Sequence, residues 1–146
     1  MADKTYLTPL LKKLGVQSLG VNIIVSAPDS FISELENNDI GCIKTQSESL
    51  EFIEKSFDSE ESADYIHVFT KSLEELKMVF PKLRKMLTKD GCFWVSWPKK
   101  TSRIKTDLSD LVVIKTGLSF GLVDVKVVAI DETWSGLKFV YRKKDR

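Results

Sequence analysis

The sequence contains few of the residues from which metal sites and nucleophilic active sites are built. It has one histidine, His67, and two cysteines, Cys42 and Cys92, among 146 residues. The cysteines form no CxxC pair, and no second histidine is present to complete a zinc site. We therefore expect no metal, two reduced thiols and a histidine that serves the core of the protein. No Ser/His/Asp arrangement is apparent either, so the catalytic residues, if there are any, stay unknown.

An excess of one charge and a long apolar run are also lacking. The net charge at pH 7 is +1, so the overall charge does not indicate binding to nucleic acid or to an anionic membrane. No apolar run approaches the ~20 residues of a membrane-spanning helix, and the N-terminal sequence lacks the apolar core of a signal peptide. Together with reduced thiols, these absences predict a cytoplasmic protein. The length suits a single domain, residues 1–146.

Short apolar segments alternate with amphipathic segments along the chain. Strands are predicted at "GVNIIVSAP" (Val21 to Ala27), "GCIKT", "ADYIHVFT", "CFWVSW", "LVDVKVVAID" and "LKFVYRKK". Helices are predicted at "TPLLKKLG", around Phe31 to Leu35, within residues 47–57, after "SLEE" and after Asp107. This alternation predicts a three-layer, Rossmann-like α/β domain with a mainly parallel sheet of about six strands. The loop "ETWSG" is too short for a crossover helix, so the last two strands should form an antiparallel hairpin.

Several local signals set the expected helix ends. Ser72 and Glu75 have the spacing of a capping box, and Pro81 should kink or break the helix that follows them. Asp107 is the expected N-cap of the last helix, whose apolar positions are Leu108, Leu111, Val112 and Leu118. "TKDG" is expected to be a turn, and the acidic segment "FDSEESAD" a solvated loop.

The second half of the chain resembles the C-terminal half of a Rossmann-type methyltransferase that uses S-adenosylmethionine. The resemblance lies in "LRKMLTKDGCFWV", which reads as a Leu-rich helix, a turn and an apolar strand, and in "GLSFGLVDVKVV" before a closing hairpin. Over nearly the whole chain, "VSWPKK" and "DETWSGLKFVYRKK" also resemble a family of small bacterial proteins known as a domain of unknown function. These resemblances imply a reduced methyltransferase fold, in which the final strand inserts between the two strands before it, and they imply no established activity.

The first half departs from the methyltransferase pattern at the cofactor site. In such folds the first strand ends in a Gly-rich turn, and an acidic residue ends the second strand. Here the first strand ends in "VSAPDSF", where Pro28 has no N–H to donate, and the second ends in "IKTQSES" without an acid at its immediate end. We therefore expect no cofactor, with S-adenosylmethionine as the alternative.

The segment after the fourth predicted strand is the best candidate for a binding site. Ligands in open α/β sheets bind beyond the carboxyl ends of the strands, and Lys99, Lys100 and Arg103 directly follow such an end. If the fifth strand runs parallel to the others, Asp131 and Glu132 lie on the same edge. The candidate ligand-binding residues are Trp97, Lys99, Lys100, Arg103, Asp131, Glu132 and Trp134.

Two interpretations of these residues stay open. In one, the cations bind a phosphate-bearing or nucleotide ligand, and Trp97 or Trp134 offers a stacking face. In the other, Lys99 or Lys100 pairs with Asp131 or Glu132, and the tryptophans pack under the hairpin. Surface ion pairs contribute only ~0–1 kcal/mol, so stability is a weak reason for so many neighbouring cations.

The leading functional hypothesis is a non-catalytic binding or interaction module of the bacterial cytoplasm on a degenerate methyltransferase-like fold. An alternative is an enzyme that acts on a phosphorylated or nucleotide-like substrate at the edge formed by "SWPKK" and "DETWSG". A third is an S-adenosylmethionine-dependent methyltransferase. The lack of a nucleophile–base pair argues against the second hypothesis, and the missing Gly-rich turn argues against the third. The partner is unknown: a phosphate-bearing or nucleotide ligand is possible, no membrane is expected, and nucleic acid is not indicated.

Overall fold

The computed structural model of the chain describes residues 8–17, 19–46 and 62–146. The helices are α1 (Pro9–Leu14), α2 (Asp29–Asn37), α3 (Leu73–Arg84) and α4 (Asp110–Ser119). The strands are β1 (Asn22–Val25), β2 (Ile43–Thr45), β3 (Ala63–Phe69), β4 (Leu87–Pro98), β5 (Leu122–Ala129) and β6 (Trp134–Tyr141). The helix predicted within residues 47–57 and most of the acidic loop lie outside the described residues.

In the described part of the chain, six strands form one sheet in the order β2-β1-β3-β4-β6-β5. The first four strands of this order pair in parallel, and β6 pairs antiparallel with both β4 and β5. The hairpin of β5 and β6 and the insertion of the final strand between its two predecessors are thus confirmed. Because β6 is antiparallel to both neighbours, β5 runs in the same direction as β4.

Two buried clusters, one on each face of the sheet, make the domain three-layered. On one face Leu76, Val79 and Phe80 of α3 meet Ile66 and Phe93 of the sheet. The second cluster joins residues of α1 and α2 to the opposite face of the strands, and its largest members are Leu11, Phe31, Leu35, Tyr65, Phe69 and Trp94. Successive residues of a strand point to opposite faces, so a central strand covered on both sides is almost entirely apolar. This is why β1 and β3 could be predicted from their composition.

Side-chain caps fix the helix ends, and one of them differs from the prediction. Thr8 caps α1, and Ser72 caps α3 as predicted; each accepts a hydrogen bond from the N–H of the third residue after it. The predicted cap of α4 is wrong: Ser109 Oγ accepts a hydrogen bond from Val112 N at 3.3 Å, and α4 begins at Asp110. Asp107 Oδ1 instead accepts a hydrogen bond from the N–H of Leu73, the first residue of α3, at 2.9 Å.

Two further local predictions are corrected by the structure. The helix does not break at Pro81: α3 continues through this residue to Arg84. "TKDG" belongs to β4 instead of forming a separate turn, although the pairing is irregular there. Ala63 pairs with Leu87, whereas Tyr65 pairs with Cys92, so the four residues 88–91 have no regular partners on β3. The turn-forming residues therefore produce a bulge inside a strand.

The predicted apolar positions of α4 are only partly buried. Leu108 is buried, whereas Leu111 is 67% exposed and Leu118 is 50% exposed. The helix instead presents Val113, Thr116 and Gly117 to the sheet. A Cβ added at Gly117 would overlap Cε1 of the fully buried Phe139. Close approach of α4 to β6 therefore requires a residue without a side chain, which the apolar pattern of the helix did not indicate.

Within residues 8–17, 19–46 and 62–146, no helix combines the length and apolar character that crossing a membrane would need.

Cys42 and Cys92 are both free thiols, and burial raises the pKa of each. Thiols with raised pKa values carry little thiolate at neutral pH, so both cysteines are poor nucleophiles and poor metal ligands.

Replacing Gly117 by alanine should destabilise the protein by about 1–3 kcal/mol, because the new methyl group overlaps a ring that has no room to move. Urea denaturation of the wild type and the variant measures this change. Gly41→Ala is the matched control, since a Cβ at that position meets nothing within 4 Å; it should change the free energy of unfolding by about 0.5 kcal/mol or less. Equal midpoints for Gly117→Ala and the wild type would contradict the proposed close approach.

Candidate functional site

The loop that follows β4 is held by backbone and side-chain hydrogen bonds along its length. Lys99 N–H donates to the carbonyl oxygen of Thr133 at 2.8 Å, which extends the β4–β6 pairing beyond Pro98. Ser102 Oγ donates to the carbonyl oxygen of Lys99 at 2.6 Å and accepts from Ile104 N at 3.2 Å. Thr106 Oγ1 donates to the carbonyl oxygen of Lys71 at 2.6 Å. The cations of this segment are therefore carried by an ordered turn, which reduces the entropy lost when a ligand binds.

Arg103 occupies an unusual backbone conformation in this loop. Its φ of 63° lies in the left-handed region, which non-glycine residues adopt infrequently. The conformation ends a short 3₁₀ turn, Lys100–Ser102, and Arg103 N–H donates to the carbonyl oxygen of Lys100 at 3.2 Å. Strained backbone of this kind persists where the surrounding structure over-determines it.

The turn between β5 and β6 lies beside the loop after β4, residues 99–105, which we call the basic loop. The sequence predicts this proximity. Pro98 pairs with Trp134 across the β4–β6 ladder. Asp131 Oδ1 accepts hydrogen bonds from the N–H groups of Thr133 and Trp134, both at 2.8 Å. The carboxylate of Asp131 therefore shapes its own turn. Its expected pairing with a lysine is not seen: among the described residues, no salt bridge joins Lys99 or Lys100 to Asp131 or Glu132.

A cavity of about 540 Å³ opens between the basic loop, the first turn of α4 and the ends of β5 and β6. It is lined by four cationic residues, Lys99, Lys100, Arg103 and Lys105. Ile104, Leu108 and Val127 contribute apolar surface, and Ser109, Asp110 and Ser135 contribute polar groups. Ser109, Asp110, Val127 and Ser135 were missed by the sequence analysis. The pair Ser109-Asp110 is a helix-start signal of the same kind as Asp107, so the sequence offered two possible starts for α4.

Three of the seven candidate residues do not line this cavity. Asp131 and Glu132 remain on the neighbouring turn, and Trp134 lies on the other face of the sheet, where its ring meets Phe69 edge-on at 5.2 Å. Trp97 does line the cavity, but only 6% of its surface is exposed. The structure thus brings together the tryptophan and the three cations of the candidate set. Whether they bind a ligand stays a prediction.

The single histidine belongs to a buried chain of polar side chains. His67 Nδ1 is hydrogen-bonded to Tyr65 Oη at 2.8 Å, and His67 Nε2 to Ser96 Oγ at 2.7 Å. Tyr65, His67 and Ser96 are all fully buried. The imidazole also stacks on Phe69, with ring centroids 4.3 Å apart. Burial lowers the pKa of His67 to about 3 and raises that of Tyr65, so both groups are uncharged at neutral pH. The histidine therefore serves the core, as predicted.

The turn between β1 and α2 is the position at which a Gly-rich turn was sought in the sequence. Ser26 follows β1 with a φ of 57°, and its N–H donates to the carbonyl oxygen of Thr45 at 2.8 Å. Pro28 precedes the first residue of α2, Asp29. Phe31 in the next turn is buried, and its ring contacts His67 and Phe69 at centroid distances of 5.0 and 5.1 Å.

Several solved structures with a similar fold are named as methyltransferases, and the first two below are named as S-adenosylmethionine-dependent. One from Aquifex aeolicus is 12% identical, with a TM-score of 0.62 over 89% of this chain and 86% of its own. One from Archaeoglobus fulgidus is 10% identical, with a TM-score of 0.61 over 89% and 90% of the two chains. A third is the 1,6-didemethyltoxoflavin-N1-methyltransferase of Burkholderia thailandensis, solved with S-adenosylhomocysteine. It is 9% identical, with a TM-score of 0.60 over 89% and 73%.

These likenesses confirm the methyltransferase-like fold, and at such low identity they show the fold alone. No family model and no curated protein matches the chain.

The ring of His67 should remain neutral in the folded protein from pH 8 down to pH 5. NMR of the imidazole carbons can test this without assignment, because the chain has no other histidine. In urea the same signals should titrate with a midpoint of about 6.5, the ordinary value for histidine. A folded-state midpoint near 6 would contradict the buried geometry.

The same difference in pKa makes stability depend on pH. As the pH falls below about 6.5, the unfolded chain takes up a proton that the folded chain does not. The free energy of unfolding should therefore decrease, through this group, by up to about 1.4 kcal/mol per pH unit until the pH approaches 3.

Proposed function

We propose that the protein is a non-catalytic binding module that takes a phosphate-bearing ligand in the basic cavity. The observation that carries the proposal is the set of four cations on one cavity, Lys99, Lys100, Arg103 and Lys105. None of them forms a salt bridge with another residue that the structure describes. Like charges held together by an ordered loop repel one another, and the attraction of each cation to a bound anion would offset that repulsion.

The cations differ in what they can contribute to such a ligand. Arg103 carries a planar guanidinium that can donate two parallel hydrogen bonds to a phosphate, and its backbone position is fixed by the turn. Lys99 is half-buried beside Pro98, where a charge interacts more strongly than in open solvent. Lys100 and Lys105 are exposed, and they add to the positive potential that attracts an anion.

The remaining polar groups of the cavity favour binding over catalysis. Ser109 Oγ is engaged as the cap of α4, and Thr106 Oγ1 donates to the carbonyl oxygen of Lys71. The one histidine of the chain lies in the core with both ring nitrogens hydrogen-bonded. Ser135 and Asp110 also line the cavity, but no hydrogen bond joins a hydroxyl to a carboxylate among the described lining residues, so no nucleophile is paired with a general base there. Turnover of a bound phosphate ester would instead favour the enzyme hypothesis.

S-adenosylmethionine-dependent methyl transfer is the second candidate, because two structural neighbours are named for that activity and a third methyltransferase was solved with S-adenosylhomocysteine. The left-handed Ser26 at the end of β1 is consistent with it, since this conformation is common in Gly-rich turns. The hydrogen bonds and charges at the same turn fit the cofactor poorly. Ser26 N–H is already bonded to Thr45, Pro28 has no N–H, and Asp29 places a negative charge in the first turn of α2. We therefore assign no step to this cofactor.

The compartment that we propose is the cytoplasm. Two free cysteines with raised pKa values are compatible with a reducing environment.

Lys99→Ala combined with Lys100→Ala should abolish phosphate-ligand binding and leave stability almost unchanged. The probe is adenosine 5′-monophosphate, titrated by calorimetry at low ionic strength, because charge attraction is screened by salt. Stability should change by about 0.5 kcal/mol or less in urea denaturation, as is usual for surface positions. Failure of the wild-type protein to bind adenosine monophosphate, ribose 5-phosphate or inorganic phosphate at millimolar concentration would overturn the proposal.

The matched control replaces another pair of adjacent lysines by alanine, Lys143 and Lys144. This pair begins a short 3₁₀ turn, Lys143–Asp145, which lies beyond the opposite end of β6. It makes the same change in net charge at a distance from the cavity. The control variant should bind the probe like the wild type, and equal losses in both variants would show an effect of net charge alone.

S-adenosylmethionine should bind with a dissociation constant above about 10 μM, which corresponds to a binding free energy weaker than about −7 kcal/mol. The reason is the occupied or missing N–H groups and the carboxylate at the β1–α2 turn. Calorimetric titration of the same preparation measures it. Saturable binding below that concentration would favour the methyltransferase hypothesis over the binding module.

A further inference from the structure

We infer that the cavity selects a phosphomonoester of a hydroxyl-bearing organic group over free phosphate, and that Asp110 makes this selection. The inference rests on the proposed function and specifies the chemistry of the ligand. It starts from the mixed charge of the lining: the loop after β4 supplies the cations, whereas the first turn of α4 supplies a carboxylate.

The N-terminus of α4 would ordinarily attract an anion, because its first N–H groups are unpaired and the helix dipole is positive there. In this protein two of those groups are used internally. Ser109 Oγ accepts from Val112 N at 3.3 Å, and Asp110 Oδ1 accepts from Leu111 N at 2.8 Å. The carboxylate of Asp110 also offsets the helix dipole. An anion in the cavity is therefore held by the loop cations and is repelled from the α4 end.

The α4 end accepts hydrogen bonds instead. Asp110 is exposed to the cavity, and Oδ2 has no hydrogen-bond partner among the described residues. A carboxylate oxygen in this position is suited to a hydroxyl donor, and a hydrogen bond to an ionised acceptor is among the stronger ones. A ligand that fills the cavity thus needs an anionic group at the loop and a donor at Asp110.

The size and apolar surface of the cavity indicate which part of the ligand joins its anionic group to its hydrogen-bond donor. A volume of about 540 Å³ falls within the ~300–1,000 Å³ usual for sites that hold small organic molecules. Val127 is 54% exposed and Ile104 is 39% exposed, so both offer apolar surface to the carbon skeleton of a ligand. Trp97 is too deeply buried to offer an open ring face, so an aromatic ring is not required. Sugar phosphates and nucleotides share the chemistry that fits.

The test compares three probes on the intact protein: inorganic phosphate, ribose 5-phosphate and adenosine 5′-monophosphate, each titrated by calorimetry at one pH and ionic strength. Wild-type protein should bind both esters at least about tenfold more tightly than inorganic phosphate, the gain expected of one charge-assisted hydrogen bond. Equal affinity for the two esters indicates that the sugar phosphate is sufficient. Tighter binding of adenosine monophosphate indicates that the base is also held.

Asp110→Asn removes the charge but keeps an oxygen that can accept from Leu111 N. This variant should bind inorganic phosphate more tightly than the wild type and the esters more weakly, so that their ratio falls to about threefold or less. Glu132→Gln is the matched control, because Glu132 is an exposed acid on the neighbouring turn that does not line the cavity. It should leave the ratio unchanged.

The outcomes separate this inference from the proposed function. If inorganic phosphate binds as tightly as the esters, or if Asp110→Asn leaves the ratio at its wild-type value, the inference is wrong while the anion site stands. If none of the three probes binds, the proposed function and the inference both fail. A fall of the ratio in Asp110→Asn and in Glu132→Gln alike would overturn the role of Asp110 in favour of a general charge effect.

Discussion

The hydrogen-bond ladder between β4 and β6 is the interaction on which the rest of the domain depends. It runs from Phe93 opposite Phe139 to Pro98 opposite Trp134, and Lys99 N–H continues it into the loop. Since β6 is antiparallel, the ladder brings the β5–β6 turn beside the end of β4. It also places Phe139 under α4, where Gly117 allows close approach. The position of the cavity at the junction of these elements follows from this single pairing.

Much of the architecture could be predicted because the relevant signals are local. Apolar and β-branched runs mark the strands, and a connection as short as "ETWSG" permits only antiparallel pairing of β5 and β6. The helix caps show where local reasoning ends. Asp107 and Ser109 are both capping residues two positions apart, and the sequence near them does not decide between them. The choice between the two caps depends on a tertiary contact, the hydrogen bond that Asp107 accepts from Leu73 N–H at the start of α3.

The sequence predicted which two loops share an edge of the sheet, but not which of their side chains share a cavity. Side chains of a strand alternate between the two faces, so residues at neighbouring strand ends share a cavity only if their register places them on one face. Trp97 and Trp134 lie on opposite faces for this reason. Register depends on pairing between distant segments, and no local pattern in "DETWSG" reveals it. The backbone contacts of Asp131 were equally invisible, because any acid near a strand end can serve a turn or a ligand.

The N–H of Leu73 donates to the carboxylate of Asp107, although 34 positions of sequence separate the two residues. This bond makes the first turn of α3 depend on the segment that follows the basic loop. One N–H of the first turn of α3 is thus paired with a residue that lies beyond β4 in the sequence. Closing such a segment costs entropy that grows slowly with its length, and this cost must be met before the contact stabilises the fold. Ser72 caps the beginning of α3 from its own sequence, whereas the N–H of Leu73 is paired only once the segment that follows the cations has docked. A substitution in that loop can therefore slow the completion of a helix to which it does not belong.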